Sequence, residues 1–309
     1  MCIRDSYGTG EDSLAPIEKA RSEGMDASYD VYPYTAAGTH LAQMVPTWLQ
    51  EGGETAMLDR LRDPNEYRKA LVDIKKGHFG GLQWEFDTFV ISYVKTEANQ
   101  EIVGKSVEEI ASDRGQDPHE TFLSLIEQED NQVGCVLHNM VEKDVRYFLS
   151  SPMAMIGSDG NAISPTGVHS HERPHPRFYG TYPRILGRYV REQSLMSLED
   201  AVRKMTGMPA ERLRMKDRGV IKEGMIADLA IFNADEVIDR STFEDPHQLS
   251  HGMTHVLVNG QPIISDGIST GALPVSYTHL RAHATRHDLV CRLQLEKKKG
   301  GGGGGGGGG

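Results

Sequence analysis

Short apolar strands that run directly into glycine and polar residues are the feature that most constrains the fold. Residues 152–156 (PMAMI) are followed at once by the tetrapeptide GSDG at 157–160. An uninterrupted apolar run of this length indicates a buried strand. Residues 13–23 predict a helix that ends at Gly24, before a predicted strand at residues 25–34. Helix, glycine and strand in this order indicate an α/β protein, in which polar groups that follow strands form the site.

The middle of the chain predicts a large insertion between two strands of this fold. Residues 36–132 hold short periodic segments separated by glycines and prolines. These segments predict helices at 54–61, 65–75, 106–114 and 119–128 and a strand at 82–93. Because simple loops are rarely longer than about 15 residues, we expect an inserted unit here.

The pattern changes again towards the end of the chain. Helical segments are predicted at 143–149, 198–205 and 210–213. From residue 216 short β segments follow, and Asn259-Gly260 predicts a hairpin turn between two of them. The strands are predicted at 227–232 and 254–258. We therefore expect residues 7–215 to form the larger α/β unit and residues 216–274 to form a small β-domain.

Both ends of the chain look foreign to the fold. Residues 300–309 are all glycine, which buries no side chain and loses the most backbone entropy on ordering. Residues 1–6 (MCIRDS) and the His- and Arg-rich stretch 275–299 resemble translated adapter sequence. We expect both ends to be artefacts and the tail 275–309 to be disordered. The alternative is a natural basic tail that binds nucleic acid or a membrane.

Composition narrows the class of protein. The net charge is −11 although the tail is basic, which argues against nucleic acid as the main partner. Cys135 is the only cysteine outside the suspect ends, so we expect no disulfide framework and a cytoplasmic location. No apolar run approaches the roughly 20 residues that a membrane span needs, so no membrane partner is expected.

Asp159 is the strongest candidate for chemistry. It follows the apolar strand at 152–156 and is flanked by Gly157 and Gly160, which let the backbone turn sharply. In a metal-dependent hydrolase such an aspartate would ligate or face the metal and take a proton from the attacking water. The alternative is an ordinary turn aspartate, because Ser-Asp-Gly is common turn chemistry.

The segment HSHERPHPR at 169–177 is the second candidate. The spacing of His169 and His171 could suit a zinc pair on a strand, but the prolines of this region indicate a loop. A loop that binds an anion through Arg177 fits better, since arginine can grip a carboxylate at two points. A solvated polar loop is the plain alternative.

Other residues are ambiguous from sequence. Tyr32 and Tyr34 lie in YPY at a predicted strand end, where a hydroxyl could stabilise an oxyanion or the ring could simply pack. His138, Met140 and Cys135 could equally be structural. The chain has no P-loop, no GxGxxG after a predicted strand, no GxSxG nucleophile elbow and no CxxC motif.

Five segments, in order, resemble N-acyl-D-amino-acid deacylases of the amidohydrolase superfamily. They are DVYPYTAAGT at 30–39, LHNMVEKDVR at 137–146, MIGSDG at 155–160, HPRFYGTYPRILG at 175–187 and GVIKEGMIADLAIFNADEVIDRSTFEDPHQLSHG at 219–252. The resemblance runs over about residues 7–274. It implies the last strands of a TIM-like barrel with an insertion, followed by a small β-domain.

The resemblance also implies roles for four residues. Asp159 matches the catalytic aspartate beside the metal, and Tyr32 matches a tyrosine that polarises the scissile carbonyl. Arg177 matches the arginine that holds the α-carboxylate of the substrate, and Met140 matches a residue near the substrate side chain. The implied activity is metal-dependent hydrolysis of N-acyl-D-amino acids, with zinc as the cofactor in the full-length protein.

The resemblance is incomplete on the metal side. The other metal ligands of the family, including its His-x-His, would precede Tyr7, so Asp159 alone cannot make a zinc site of three or four ligands. We therefore expect the chain to be a C-terminal fragment that neither binds zinc tightly nor turns over substrate. The alternatives are a cyclic-amide hydrolase of the dihydroorotase or hydantoinase type and a non-catalytic metabolite-binding scaffold. The sequence does not indicate an oligomeric state.

Overall fold

The computed structural model describes residues 8–77 and 83–274 of the protein. Its α/β part is built around a pair of parallel strands. Strand β1 (Tyr29–Val31) pairs with β5 (Ala154–Ile156), and Tyr29 lies opposite Ala154. Two helices precede these strands in the chain, α1 (Gly10–Ser22) before β1 and α7 (Glu142–Ser150) before β5. The α/β prediction is thereby confirmed.

The strand that follows α1 is shorter than the sequence predicts. The sequence predicts an extended chain throughout residues 25–34, but only Tyr29–Val31 are paired. The chain bends immediately after them, because the amide of Tyr34 donates to the carbonyl of Tyr32 at 3.1 Å. Pro33 lies inside this bend and has no N–H to offer a neighbouring strand. The bend carries Tyr32 and Tyr34 away from the strand axis.

Residues between these two strands build an antiparallel sheet covered by helices. The sheet order is β2 (Ala37–His40), β4 (Gly134–Leu137) and β3 (Phe89–Tyr93). Its helices are α2 (Thr47–Gln50), α3 (Gly53–Arg62), α4 (Pro64–Lys75), α5 (Val107–Arg114) and α6 (Pro118–Gln128). Three 3-10 turns lie at Leu41–Met44, Phe86–Thr88 and Glu97–Ile102. One core cluster, drawn from residues 37 to 137, joins the sheet to the helices.

The four predicted helices of this region are confirmed, and three begin at residues that cap them. The carboxylates of Asp63 and Asp117 accept backbone N–H groups at the starts of α4 and α6. Ser106 and Glu109 form a reciprocal capping box at the start of α5. The strand predicted at 82–93 is confirmed only from Phe89 onward, and residue 82 lies outside the described residues.

A long helical segment follows a loop after β5. Helix α8 (Arg177–Arg184) continues into a π-helical stretch at Ile185–Glu192, and α9 (Leu198–Met205) and α10 (Gly207–Arg212) come next. A second core cluster joins α7, β5 and these helices. The buried Lys204 ammonium donates to the carbonyls of Leu149 and Ser151 at 2.6 and 2.9 Å, which closes the end of α7.

The last described region is an antiparallel sheet of four strands. These are β6 (Leu229–Phe232), β7 (Met253–Val258), β8 (Gln261–Ser265) and β9 (Ile268–Ser269). The predicted hairpin is confirmed between β7 and β8, where Asn259 and Gly260 have φ values of 50° and 77°. The segment between β6 and β7 leaves this sheet and packs against α8. Among the described helices none is long and apolar enough to cross a membrane.

Candidate active site

The carboxyl ends of β1 and β5 bring two predicted site segments together. Tyr32 comes directly after β1, and Asp159 lies three residues beyond β5. The strands are parallel neighbours, and the amide of Gly157 donates to the carbonyl of Val31 at 3.1 Å, extending their pairing. Asp159 has a φ of 48°, a left-handed conformation in which its side chain is 57 % exposed. Both segments therefore open at the same edge of the sheet.

Arg177 joins these segments from the first turn of α8. Its Nη2 lies 2.8 Å from Oδ2 of Asp159 and donates to the carbonyl of Gly38 at 3.2 Å. The guanidinium carbon lies 4.8 Å from the centre of the Tyr32 ring, within the range of a cation–π contact. The side chain is only 6 % exposed. The structure thus brings together Asp159, Tyr32 and Arg177, which the sequence singled out separately.

One N–H group of this guanidinium has no hydrogen-bond acceptor among the described residues. Nε of Arg177 is buried and makes no hydrogen bond within the described part of the chain. A buried N–H without an acceptor is costly, particularly on a charged group. The same guanidinium holds a carboxylate through Nη2, so the arrangement is chemically suited to binding an anion.

His175 holds the backbone of Arg177 rather than a metal. Its Nε2–H donates to the carbonyl of Ala36 at 2.9 Å, and its Nδ1 accepts the amide N–H of Arg177 at 3.0 Å. Burial, reinforced by the positive charge of Arg177, lowers the pKa of His175 to about 3. The ring is therefore neutral at physiological pH, and both of its nitrogens are already used. The sequence groups His175 with two other histidines and does not indicate this role.

The remaining histidines of this segment are separate from His175. His169 and His171 are exposed, and Nδ1 of His169 lies 2.8 Å from Oε1 of Glu172. The loop interpretation of this segment is confirmed, because residues 157–176 contain no helix or strand. The prolines that indicate this loop give no indication of α8, which begins immediately after Pro176.

Met140 lies beside the antiparallel sheet. It is half-buried and packs against the core of that sheet, and its amide donates to the carbonyl of Thr35 at 3.1 Å. The neighbouring His138 packs edge-on against Phe243, with ring centres 4.7 Å apart, and burial lowers the pKa of its imidazole. The roles predicted for Met140, Tyr32, Asp159 and Arg177 in a reaction stay predictions.

Three further residues complete the surroundings and are missed by sequence reasoning. Arg184, Asp239 and Phe243 all pack around Tyr34, whose own ring lies edge-on to His175 at 5.0 Å. Arg184 follows Arg177 by seven residues, which places both on one face of a helix. That spacing is the available signal for Arg184. Asp239 and Phe243 come from the distant segment between β6 and β7, for which no local signal exists.

The residues present do not fit a zinc site. Within residues 8–77 and 83–274, no three His, Cys, Asp or Glu side chains are grouped so that they could hold a metal ion. Asp159, the predicted metal ligand, is ion-paired with Arg177 instead. Tetrahedral zinc needs three or four protein ligands, and the described residues supply too few of them at this site.

Comparison with known proteins identifies the relatives of this chain. Residues 145–264 match the family model described as Amidohydrolase family. N-acyl-D-glutamate deacylase of Alcaligenes xylosoxydans xylosoxydans is 33 % identical over 82 % of this chain and 42 % of its own length. D-aminoacylase of the same organism is 32 % identical over 86 % of this chain and 44 % of its own length. The chain thus spans less than half the length of these curated relatives.

Solved structures agree with the sequence relatives. The crystal structure of N-acyl-D-glutamate deacylase from Bordetella bronchiseptica, complexed with zinc and a phosphonate inhibitor, superposes with a TM-score of 0.62 at 29 % identity. The match covers 85 % of this chain and 46 % of the chain of that deacylase. A crystal structure of D-aminoacylase gives a TM-score of 0.63 at 32 % identity, over 86 % of this chain and 45 % of that one. The chain has an α/β amidohydrolase fold, its residues 145–264 match the amidohydrolase family, and the relatives that it resembles are N-acyl-D-amino-acid deacylases.

Proposed function

We propose that this chain provides the carboxylate-binding side of a site that hydrolyses the amide bond of N-acyl-D-amino acids. The observation that carries the proposal is the buried guanidinium of Arg177, which already binds one carboxylate at the carboxyl ends of β1 and β5. Relatives named for deacylating D-glutamate and D-aspartate derivatives support this substrate class. Each of those substrates carries an α-carboxylate that Arg177 could bind.

In this proposal each residue has a separate task. Arg177 binds the α-carboxylate of the substrate, and the Tyr32 hydroxyl hydrogen-bonds the oxygen of the scissile carbonyl. Asp159 accepts a proton from the attacking water once it is released from Arg177. Met140 lies towards the substrate side chain. His175 keeps the backbone of Arg177 in place and, being neutral, adds no competing charge.

In this proposal zinc is bound by a longer protein and not by this chain alone. One relative was crystallised with zinc, whereas the described residues of this chain do not assemble a ligand set. We propose that the further ligands come from protein beyond the described residues. β1 and β5 would then be neighbouring strands of a TIM-like barrel, residues 36–132 an insertion and residues 216–274 a small β-domain. The cytoplasmic location stays a prediction.

The experiment is an assay of the protein completed to the length of its relatives, with zinc. Arg177→Ala is expected to lower kcat/KM for N-acetyl-D-glutamate by roughly 100-fold or more, the size expected for losing a charged hydrogen-bonded contact. The same substitution should lower kcat/KM far less for an analogue whose α-carboxylate is replaced by a carboxamide. The chain alone should show neither deacylase activity nor tight zinc binding.

Two results would contradict the proposal. The carboxylate assignment fails if Arg177→Ala spares turnover of N-acetyl-D-glutamate. Preferential hydrolysis of a cyclic amide by the completed protein would favour the dihydroorotase or hydantoinase alternative. No turnover of any amide would favour the non-catalytic scaffold.

A further inference from the structure

Helix α8 places two arginines against the same bend of the chain. Arg177 and Arg184 are seven residues apart, about two helical turns, and so face the same side. The Arg177 guanidinium lies 4.8 Å from the Tyr32 ring centre, and that of Arg184 lies 4.7 Å from the Tyr34 ring centre. The bend Tyr32-Pro33-Tyr34 is therefore held by one cation on each tyrosine.

Arg184 also holds the backbone of this bend. Its Nε donates to the carbonyl of Pro33 at 2.9 Å, between the two tyrosines. Its Nη1 lies 2.9 Å from Oδ2 of Asp239, in the segment between β6 and β7. The side chains of Arg184 and Asp239 are 18 % and 6 % exposed, so the ion pair is largely removed from water. Removing one partner of such a buried ion pair is strongly destabilising, because the other charge is left without compensation.

Close packing leaves this arrangement little freedom. A Cβ added at Gly180, in the middle of α8, would lie 2.6 Å from the Tyr34 hydroxyl and 2.8 Å from Cβ of Asp239. The Tyr34 hydroxyl also donates to the carbonyl of Pro176 at 3.4 Å, just before α8 begins. Movement of Asp239 or Arg184 would therefore be passed to the bend and to the first turn of α8, where Arg177 lies.

We propose that Arg184 and Asp239 are positioning residues, which set the Tyr32 ring against Arg177 and so orient the guanidinium for an incoming carboxylate. The inference rests on the proposed function for the identity of the ligand. It adds that the segment between β6 and β7 contributes to carboxylate binding, although neither positioning residue touches the ligand. Binding geometry is sensitive to small displacements, so loosening this pair should weaken binding at a distance.

The test is carried out on the chain itself, without metal. N-acetyl-D-glutamate is titrated by calorimetry into wild type and into the variants Arg184→Gln, Arg184→Lys and Asp239→Asn. Arg184→Gln and Asp239→Asn are each expected to weaken binding about tenfold. The double variant should bind no more weakly than the single variants, because all three break the same ion pair. Arg184→Lys keeps the charge but not the planar set of donors, so its affinity for N-acetyl-D-glutamate should lie between those of wild type and Arg184→Gln.

A spectroscopic readout separates positioning from general destabilisation. The Arg177 Nε–H resonance, assigned by its loss in Arg177→Lys, should shift in Arg184→Gln and Asp239→Asn even without ligand. The matched control is Arg212→Gln, which breaks the exposed Arg212–Asp26 pair and should change neither binding nor this resonance. If one variant does not fold, the other single variant and Arg184→Lys test the same contact.

The outcomes distinguish the two proposals. Unchanged affinity and an unchanged resonance in the variants overturn the positioning role. If wild type does not bind N-acetyl-D-glutamate but the resonance shifts as expected, the positioning role stands and the proposed substrate fails. If neither binding nor a shift is seen, both are wrong.

Discussion

Oδ2 of Asp159 lies 2.8 Å from Nη2 of Arg177, so the residue expected to accept the proton is ion-paired with the residue expected to hold the substrate. The two partners differ in freedom, because Arg177 is buried and Asp159 is 57 % exposed. Arg177 is therefore the fixed partner, and Asp159 the one that can leave. A substrate carboxylate would take the place of Asp159, and the same event would free Asp159 to act as a base.

Asp159→Asn should therefore strengthen, not weaken, the binding of free carboxylates to this chain. The variant removes the internal competitor while Arg177 keeps its contacts with Gly38 and Tyr32. We expect N-acetyl-D-glutamate to bind up to roughly tenfold more tightly, the equivalent of about 1.4 kcal/mol. Calorimetric titration of N-acetyl-D-glutamate into wild type and Asp159→Asn measures this change in affinity. Asp26→Asn, which removes an exposed aspartate paired with Arg212, is the control and should change nothing. Equal or weaker binding to Asp159→Asn would show that the two carboxylates do not compete.

Arg177→Lys should lose most of the binding despite keeping the charge. Nη2 of Arg177 contacts both Asp159 and the carbonyl of Gly38. Lysine has a single ammonium group and lacks the second terminal nitrogen with which a planar guanidinium can grip a carboxylate at two points. We expect affinity for N-acetyl-D-glutamate to fall at least roughly tenfold. Circular dichroism and urea unfolding check that the variant is folded. Arg212→Lys is the matched control, and comparable affinity in Arg177→Lys would mean that charge alone accounts for binding.

Local signals explain which elements could be predicted from the sequence. Helices α4, α5 and α6 are predictable because Asp63, Ser106 and Asp117 cap them directly, and capping depends only on neighbours in the chain. Strand boundaries are less predictable, since pairing depends on a distant partner. The paired part of the strand after α1 ends at Val31, opposite Ile156, and the chain bends at Pro33.

The candidate site divides in the same way. Tyr32, Asp159 and Arg177 could be selected from sequence, because each lies in a recognisable local motif. Their mutual contacts could not, since these depend on how β1, β5 and α8 meet. Asp239 is the clearest case, because it reaches Arg184 across 55 positions of the chain.

His175 should make stability depend on pH in a defined window. Its pKa is about 3 in the folded protein, against about 6.5 in an unfolded chain. Above about pH 6.5 both states are neutral and its contribution is complete. As the pH falls below 6.5 the unfolded state takes up a proton that the folded state refuses, so the free energy of unfolding decreases until the pH approaches 3. The expected slope from this residue is about 1.4 kcal/mol per pH unit.

Urea unfolding between pH 6.5 and 4.5 isolates this effect by comparison with His175→Gln. The variant is less stable at neutral pH, because it loses contacts with Ala36 and with the amide of Arg177. Its stability should nevertheless decline less steeply with falling pH than that of wild type. The exposed His171 supplies the control, and His171→Gln should keep the wild-type slope. Parallel slopes for wild type and His175→Gln would mean that His175 is protonated in the folded protein.

Gly180→Ala should destabilise the site from inside α8, even though alanine favours helix formation. The added methyl group would lie 2.6 Å from the Tyr34 hydroxyl and 2.8 Å from Cβ of Asp239, both well inside van der Waals contact. Tyr34 is fully packed and cannot swing away freely, so helix and bend must separate. We expect a loss of about 1–3 kcal/mol in the free energy of unfolding, together with weaker carboxylate binding. Gly207→Ala in α10 is the matched control, because the nearest atom to its added methyl lies at 3.6 Å, an ordinary contact. That variant should be as stable as wild type or slightly more stable, by up to about 1 kcal/mol. A Gly180→Ala protein with wild-type stability and affinity would show that α8 is free to move relative to Tyr34 and Asp239.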